Sequence, residues 1–549
     1  VHFAASDVFT YRGRHPLIES DPVHMNIHAE KPWCSQMYRM SPKEIRQLRD
    51  LLEEYLRAGI LEPSNSPYAV SPLLQQKADG RARLVLDVRK PNSCTEFDAY
   101  PLPQPVQVFA ELGLARLLST YDFKDGFFGV ALALTSRKFT AFRTLFGLFQ
   151  FRRLIQGGRN SAQVFQRIGN QNFLDFLWKF LVIYVDDSCV YTKDFCGDSS
   201  DDLNAAITVA RSERDCLMSD LVYHAAEMRD CDDELHDRVQ KDLDAVQAIL
   251  VRIEFTAWSP EGETPFAVEG LPAVREWQLY LRHARQTVAF LRRVRLKGYT
   301  IAHKKAQHGF REVVYVGKCV GRSGLSASDK LVNAIANFPR PVTPEHTVDA
   351  KGLRGFLGLC AYFREGVHIF ARKSAELREA LRCAEAGLSE WTPVLEMEFQ
   401  ALKDDFLQRL NLAVPDTRLP WIILTDWSTA GIGASLFQLR LAADSVNPFT
   451  SEEWAYLVSG PQMNSARDSA TPPPLLVRLT VTKLRPFRKE AIAVCSRALS
   501  DAEKKYPPRE GEALSLTYAG EMFECLLRSK FSTVLTDHSS LQFLQTASA

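Results

Sequence analysis

Residues 180–191 set two adjacent carboxylates, Asp186 and Asp187, between two runs of β-branched and aromatic residues. Such runs form buried strands, so the acids fall at the bend of a hairpin. Asp is also an ordinary turn residue, because its side chain bonds its own backbone. A buried carboxylate pair repels itself, however, unless cations or hydrogen-bond donors compensate, and a divalent metal ion is a ready compensator. A third acid, Asp122, ends another short apolar run at 117–121. A strand bringing Asp122 beside Asp186 would present carboxylates to two metal ions, as in-line phosphoryl transfer requires.

The segments YVDD at 184–187 and YDFKDGFFGV at 121–130 resemble the palm of a reverse transcriptase of the gypsy-like LTR retrotransposon polyproteins, and the resemblance runs in order along most of the chain. It implies an α+β architecture: a right-hand polymerase with fingers, palm and thumb, then a truncated ribonuclease H-like α/β domain. The implied divisions are a lead-in (1–40), fingers and palm (41–194), an acidic helical insertion (195–275), and the end of the palm with a primer-positioning hairpin (276–318). A thumb/connection region (319–390) and the ribonuclease H-like domain (391–549), interrupted by a loop at about 439–485, complete the chain. The implied activity is RNA-directed DNA polymerisation with cleavage of RNA in RNA–DNA hybrids. A decayed or domesticated element that binds nucleic acid without catalysis is the alternative. Implied cofactors are two Mg²⁺ ions per active site, with Mn²⁺ as a substitute. Implied partners are RNA template, DNA primer, RNA–DNA hybrid, dNTPs and other parts of the polyprotein such as protease, integrase and capsid. The implied location is the cytoplasm, in a virus-like particle, or the nucleus, with no membrane partner.

Length and composition agree with several folded cores: 549 residues correspond to roughly three or four domains. The 11 cysteines include no C-x-x-C pair, which removes the strong zinc signature and leaves reduced thiols as the default. A formal net charge of +1 makes any polyanion site a local patch. No charge-free apolar run is long enough to span a membrane.

Elements must hold these residues in place. Ser41, Pro42 and Glu44 make a capping box before an apolar stripe at helical spacing, and Gly59 follows it. Ala78, Asp79 and Gly80 signal a hairpin with Lys77, Arg81, Arg83 and Arg89 around it. The bland reading is an edge made soluble by charge. The resemblance implies that Arg83, and secondly Lys77, grips the incoming triphosphate, which suits a guanidinium fork. It likewise sets Phe127 under the sugar of that nucleotide, and Gln156 in a segment packed against nucleotide and template. Gly158 and Ala162 stand where the family has an apolar residue and a proline, which implies a looser bend.

From about 195 to 275 the chain has more acids than bases and helical spacing of Leu, Ile, Val and Met. The expectation is a separate acidic helical appendage pointing away from nucleic acid. The stretch 282–307 is the most basic in the chain. A solvated helix face is its ordinary meaning, whereas beside a palm it implies phosphate tracking by Arg292, Arg293, Arg295, Lys297, Lys304 and Lys305. Tyr315 and Gly317 fall where the family positions the primer end. In the last third, Asp426, Glu512 and Asp537 match the family's ribonuclease H carboxylates as metal ligands, with Glu510 the rival for Glu512. Because the chain stops soon after Asp537, the domain is expected to lack its last strand and helix and to cut hybrids poorly, with partial rescue by Mn²⁺.

Overall fold

The computed structural model describes residues 15–76, 82–193, 203–227, 271–460 and 481–535, apart from short breaks in the last two ranges, with pieces of 240–269. It divides into two compact units, residues 1–316 and 317–549.

In the first unit, α1 (Pro42–Arg57) starts at the capping box: Ser41 Oγ accepts from the Glu44 amide, and the Glu44 carboxylate accepts from the Ser41 amide. Its apolar face packs Leu48 and Leu52 with Leu84, Phe142 and Phe151 into a fingers core. Strands β1 (Pro72–Gln76) and β2 (Ala82–Leu86) form an antiparallel hairpin, with Gln75 opposite Arg83. Next come β3 (Ala115–Asp122), the single turn α2 (Gly126–Gly129), α3 (Ser161–Asn172), and the hairpin β4 (Leu181–Tyr184) and β5 (Asp187–Lys193). Gly158 is at no loss for support: its carbonyl accepts from the Ser161 amide, and the Ser161 hydroxyl donates to the Ile155 carbonyl.

Helix α4 (Leu203–Glu227) precedes two short parallel strands, Ile253–Thr256 and Phe266–Glu269, and then the long α5 (Leu271–Leu296). The edge strand β6 (Gln307–Phe310) pairs with β3, giving a palm sheet in the order β6-β3-β5-β4, and β7 (Glu312–Tyr315) closes the unit. One core joins sheet and helices: Tyr121 and Val190 from the sheet, Phe165 and Ile168 from α3, Phe290, Leu291 and Val294 from α5.

The expected boundary between 275 and 276 falls inside α5, and the insertion is not a free appendage. Ala206, Ile207, Ala210 and Leu217 of α4 bury Val274, Leu281 and Val288 of α5. Arg285 binds Glu213 at 2.9 Å and Asp220 at 3.1 Å, and the Gln278 amide donates to the Ala206 carbonyl. The reason is that α5 has apolar residues on two faces, one for the sheet and one for α4.

The second unit begins with the antiparallel hairpin β8 (Lys318–Gly321) and β9 (Gly324–Ala327). Helices α6 (Asp329–Ala336), α7 (Ala350–Tyr362), α8 (Phe370–Lys373), α9 (Ala375–Glu385) and α10 (Pro393–Leu407) surround Leu353, Phe356, Leu377 and Phe399. A second sheet follows, made by β10 (Trp421–Ser428), β11 (Gly431–Leu441), β12 (Phe487–Ala498) and β13 (Ser532–Leu535) in the order β12-β11-β10-β13. Only the β10–β13 pair is parallel, and α12 (Pro508–Met522) packs on β10 and β11. Within 439–485, expected as loop, a helix stands at Ser451–Ser459. Thr450 and Glu453 form a capping box there, a signal present in the sequence that the Ser and Pro content obscured.

Candidate active sites

The β4–β5 hairpin turns through Val185 and Asp186, with Tyr184 opposite Asp187. Val185 has φ of 55°, a conformation a β-branched residue adopts only when its surroundings impose it. Gln166 of α3 is what imposes it. The side chain is fully buried; its Oε1 accepts from the Val185 amide at 2.7 Å, and its Nε2 donates to the Ile183 carbonyl at 3.1 Å. The Phe123 amide donates to the Asp186 carbonyl at 2.9 Å, tying the bend to the end of β3. Asp122 is thereby the direct cross-strand partner of Asp187. Sequence reasoning passed over Gln166; its only mark is a polar residue on the inner face of an otherwise apolar helix.

Several predicted residues converge on this bend. Lys305 Nζ lies 2.7 Å from Asp122 Oδ2. The Arg83 guanidinium donates to the Gln156 side chain, joining two residues expected to hold nucleotide from separate elements. Phe127 rests against Phe165 with ring centroids 5.1 Å apart, half in the palm core. Phe128 points the other way, 7 % exposed between Tyr55 and Phe151. Tyr315 is buried and its hydroxyl donates to the Asp187 carbonyl at 3.0 Å, so the ring supports the hairpin from beneath. Gly317, with φ of 72°, makes the turn after it. Lys77 lies outside the described residues.

The carboxylates repel one another. Burial, reinforced by the charges of Asp186 and Asp122, pushes the Asp187 carboxyl up to about 6. Burial also raises Asp186, with Asp122 adding to the rise and Lys305 and Arg83 opposing it. Such a cluster is anionic and under-compensated, which suits divalent cations. Among the described residues no three His, Cys, Asp or Glu side chains are grouped to close a ligand set. The Asp122 carboxylate is engaged by Lys305. Charge is the better guide here: a surface ammonium is readily displaced, whereas the backbone placement of the three acids is fixed by the sheet.

The basic stretch is less available than its composition implies. Arg282 and Arg285 meet Glu213, Arg293 meets Asp175 at 2.8 Å, and Lys297 meets Glu19 at 2.6 Å. Arg292 stacks over Tyr223 of α4 at 4.2 Å. Much of this charge fastens α5 to its neighbours. Arg295 is half-buried near the C-terminal end of α5, and Lys304 is exposed just before Lys305.

A second acidic centre lies in the other unit. Asp426 is near the end of β10, and Glu512 is buried in the first turns of α12, while Glu510 is exposed. The Ser515 hydroxyl donates to the Asp426 carbonyl, and Gly511 lies under the Trp427 ring, where a Cβ would clash; together these bring α12 down onto the strand. Asp426 Oδ2 is buried without a hydrogen bond among the described residues, and the Arg372 guanidinium stands 3.8 Å away. A carboxylate oxygen in that state suits a metal ion. Asp537 lies outside the described residues, two positions after β13, which runs parallel beside β10. Among the described residues no helix is long and apolar enough to cross a membrane.

Comparison with known proteins follows the same division. Residues 75–212 match the family model for reverse transcriptase (RNA-dependent DNA polymerase), and residues 479–549 match the RNase H-like domain found in reverse transcriptase. The Retrovirus-related Pol polyprotein from transposon gypsy of Drosophila melanogaster is 23 % identical over 543 residues, covering 96 % of this chain and 38 % of its own length. That from transposon 412 of the same organism is 23 % identical, covering 96 % and 33 %. The enzymatic polyprotein of cauliflower mosaic virus (strain Strasbourg) is 29 % identical over 160 residues, 28 % of this chain and 23 % of its own length. The chain therefore spans well under half of these relatives. The foamy viral protease-reverse transcriptase in complex with RNA/DNA hybrid shares the fold, with a TM-score of 0.63, 15 % identity, and coverage of 98 % of this chain and 55 % of that one.

Proposed function

We propose that this chain, which carries a reverse transcriptase domain followed by the RNase H-like domain of reverse transcriptases, is the RNA-directed DNA polymerase and ribonuclease H part of a retrotransposon Pol polyprotein. The observation that carries the reading is the convergence of Asp122, Asp186 and Asp187 with the Arg83–Gln156 pair at one bend. Two divalent ions bound there would supply charge for the departing pyrophosphate and activate the primer hydroxyl.

The chain's own residues do the rest. Gln166, the Phe123 amide and Tyr315 fix the backbone of the acidic bend, so the carboxylates need no rearrangement when they meet their cations. Arg83 presents a fork to a triphosphate, Gln156 orients that fork, and Phe127 limits room at the sugar. Asp426 and Glu512, with Asp537, would hold the ions of hybrid cleavage. The substrates are RNA template, DNA primer, dNTPs and RNA–DNA hybrid.

Primer extension on a poly(rA) template tests this. Wild type should extend in Mg²⁺ or Mn²⁺, and Asp186→Asn should lose at least about a hundredfold in rate, the removed charge being worth several kcal/mol at the transition state. Extension by Asp186→Asn within tenfold of wild type would refute the site. No extension by folded wild type that still binds hybrid would favour the non-catalytic alternative.

A further inference from the structure

Helix α8, the single turn Phe370–Lys373, is laid on the second sheet at a row that the strand register defines. Asp426 of β10 pairs with Gly433 of β11, and Gly433 pairs in turn with Ser496 of β12. Directly paired residues of neighbouring strands share a face, so Ser496, Gly433 and Asp426 stand in line on one side of the sheet. At one end of the row Ser496 Oγ accepts from the Ala371 amide at 3.1 Å. The middle position, a glycine, puts no side chain in the way. At the other end the guanidinium of Arg372, the next residue of α8, lies 3.8 Å from Asp426 Oδ2. Two residues back along β11, Gly431 lets the helix come this close: a Cβ there would stand 3.3 Å from the Ala371 methyl.

The rest of α8 is committed to the helical part of the unit. Lys373 holds Asp405 of α10 at 2.8 and 2.7 Å, and the Arg378 guanidinium of α9 donates to the Ala371 carbonyl. Arg372 alone is turned to the sheet, and among the described residues its ion-pair partner is Asp426. The contact is too long for a hydrogen bond and both side chains are partly exposed, so it adds little to stability. Its effect is local. It sets a positive charge against the buried oxygen of Asp426 that has no hydrogen bond among the described residues. A divalent ion drawn to that oxygen has to displace the guanidinium.

We infer that Arg372 is a positioning residue for the second acidic centre: a displaceable counter-ion, held out from the helical part of the unit, that competes with the divalent cation for Asp426. The inference rests on the reading of Asp426 as a metal ligand. Because α8 is anchored on Ser496 and on α10, the strength of this competition is set by how the helices sit on the sheet, and the cation affinity of Asp426 answers to residues outside the sheet that carries it.

The test is a Mn²⁺ titration of the full chain without nucleic acid, free Mn²⁺ being read from its electron paramagnetic resonance signal. The binding that belongs to Asp426 is the part lost in Asp426→Asn, measured in the wild-type and in the Arg372→Gln background. Arg372→Gln should tighten that part by roughly threefold to fivefold, the range an exposed ion pair supplies, and Arg372→Lys should stay near wild type. The gap between wild type and Arg372→Gln should narrow as KCl rises from about 50 to about 500 mM, because salt screens the competing charge. The melting temperature without metal should stay close to wild type in both variants. If Asp426→Asn removes no Mn²⁺ binding in either background, the reading of Asp426 as a metal ligand fails. If it removes binding, but Arg372→Gln leaves the affinity of that part unchanged or weaker, the counter-ion role alone is overturned. An Arg372→Lys variant as tight as Arg372→Gln would overturn it too, since charge would then not be what competes. A purely structural Arg372 would instead lower the melting temperature at unchanged Mn²⁺ affinity.

Discussion

Adjacent residues Phe127 and Phe128 divide the work beside the acidic bend of the first unit. Phe127 faces the palm and Phe128 the fingers core. Phe127→Ala should raise ribonucleotide use relative to deoxyribonucleotide, read as the ratio of kcat/KM for the two. Phe128→Ala should instead lower stability by about 3 kcal/mol through a core cavity, read by thermal or denaturant melting. A change of sugar selection in Phe128→Ala with none in Phe127→Ala would show that the two roles are exchanged. The acidic residues were legible in the sequence because acids embedded in apolar strand runs are anomalous. Gln166 and the left-handed Val185 were not. A buried amide that satisfies two backbone groups leaves no periodic trace, and a β-branched residue argues against the very φ it adopts.

Among the elements, α5 shows most clearly where local pattern runs out. Its His283 sits between β3 and β5, its Nε2 at 2.7 Å from Ser119 Oγ and its Nδ1 at 2.8 Å from Thr192 Oγ1. Burial lowers its pKa to about 4, so the imidazole is folded in its neutral form. The native state then binds fewer protons than the unfolded chain. Stability is full above the unfolded value near 6.5 and is lost as pH falls toward 4, by on the order of 2–3 kcal/mol. His283→Gln should flatten that part of a stability-against-pH curve; an unchanged curve would remove His283 as its source. The acid-rich composition of 195–275 was legible, but its attachment was not, since the apolar face that receives α4 lies in α5, beyond the expected boundary. Replacing 198–270 by a Gly/Ser linker should therefore lower stability or solubility by exposing Val274, Leu281 and Val288. Polar substitutions at those three positions should restore a soluble enzyme with primer extension intact, and a linker variant as stable as wild type would contradict the packing.

Taken whole, the molecule has two acidic centres in two compact units. Mutations should separate the functions: Asp186→Asn removes extension by more than about a hundredfold and leaves at its wild-type level whatever hybrid cleavage is measured in Mn²⁺, and Asp426→Asn removes that cleavage and leaves extension intact. Loss of both activities from either change, with folding preserved, would mean that the centres do not act independently. The order of the reverse transcriptase and RNase H-like domains was readable from motifs and the start of the Ser451–Ser459 helix from its capping box, while the bond from the Ala371 amide to Ser496 Oγ depends on a contact between distant segments. The doubly buried α5 has a further consequence in comparative terms. A helix committed on two faces cannot lose one partner by gradual erosion, because every shortened intermediate would display an oily stripe. Relatives that lack the α4 segment should therefore carry hydrophilic residues at the positions of Val274, Leu281 and Val288, and the presence of the insertion and the polarity of those three sites should change together across lineages.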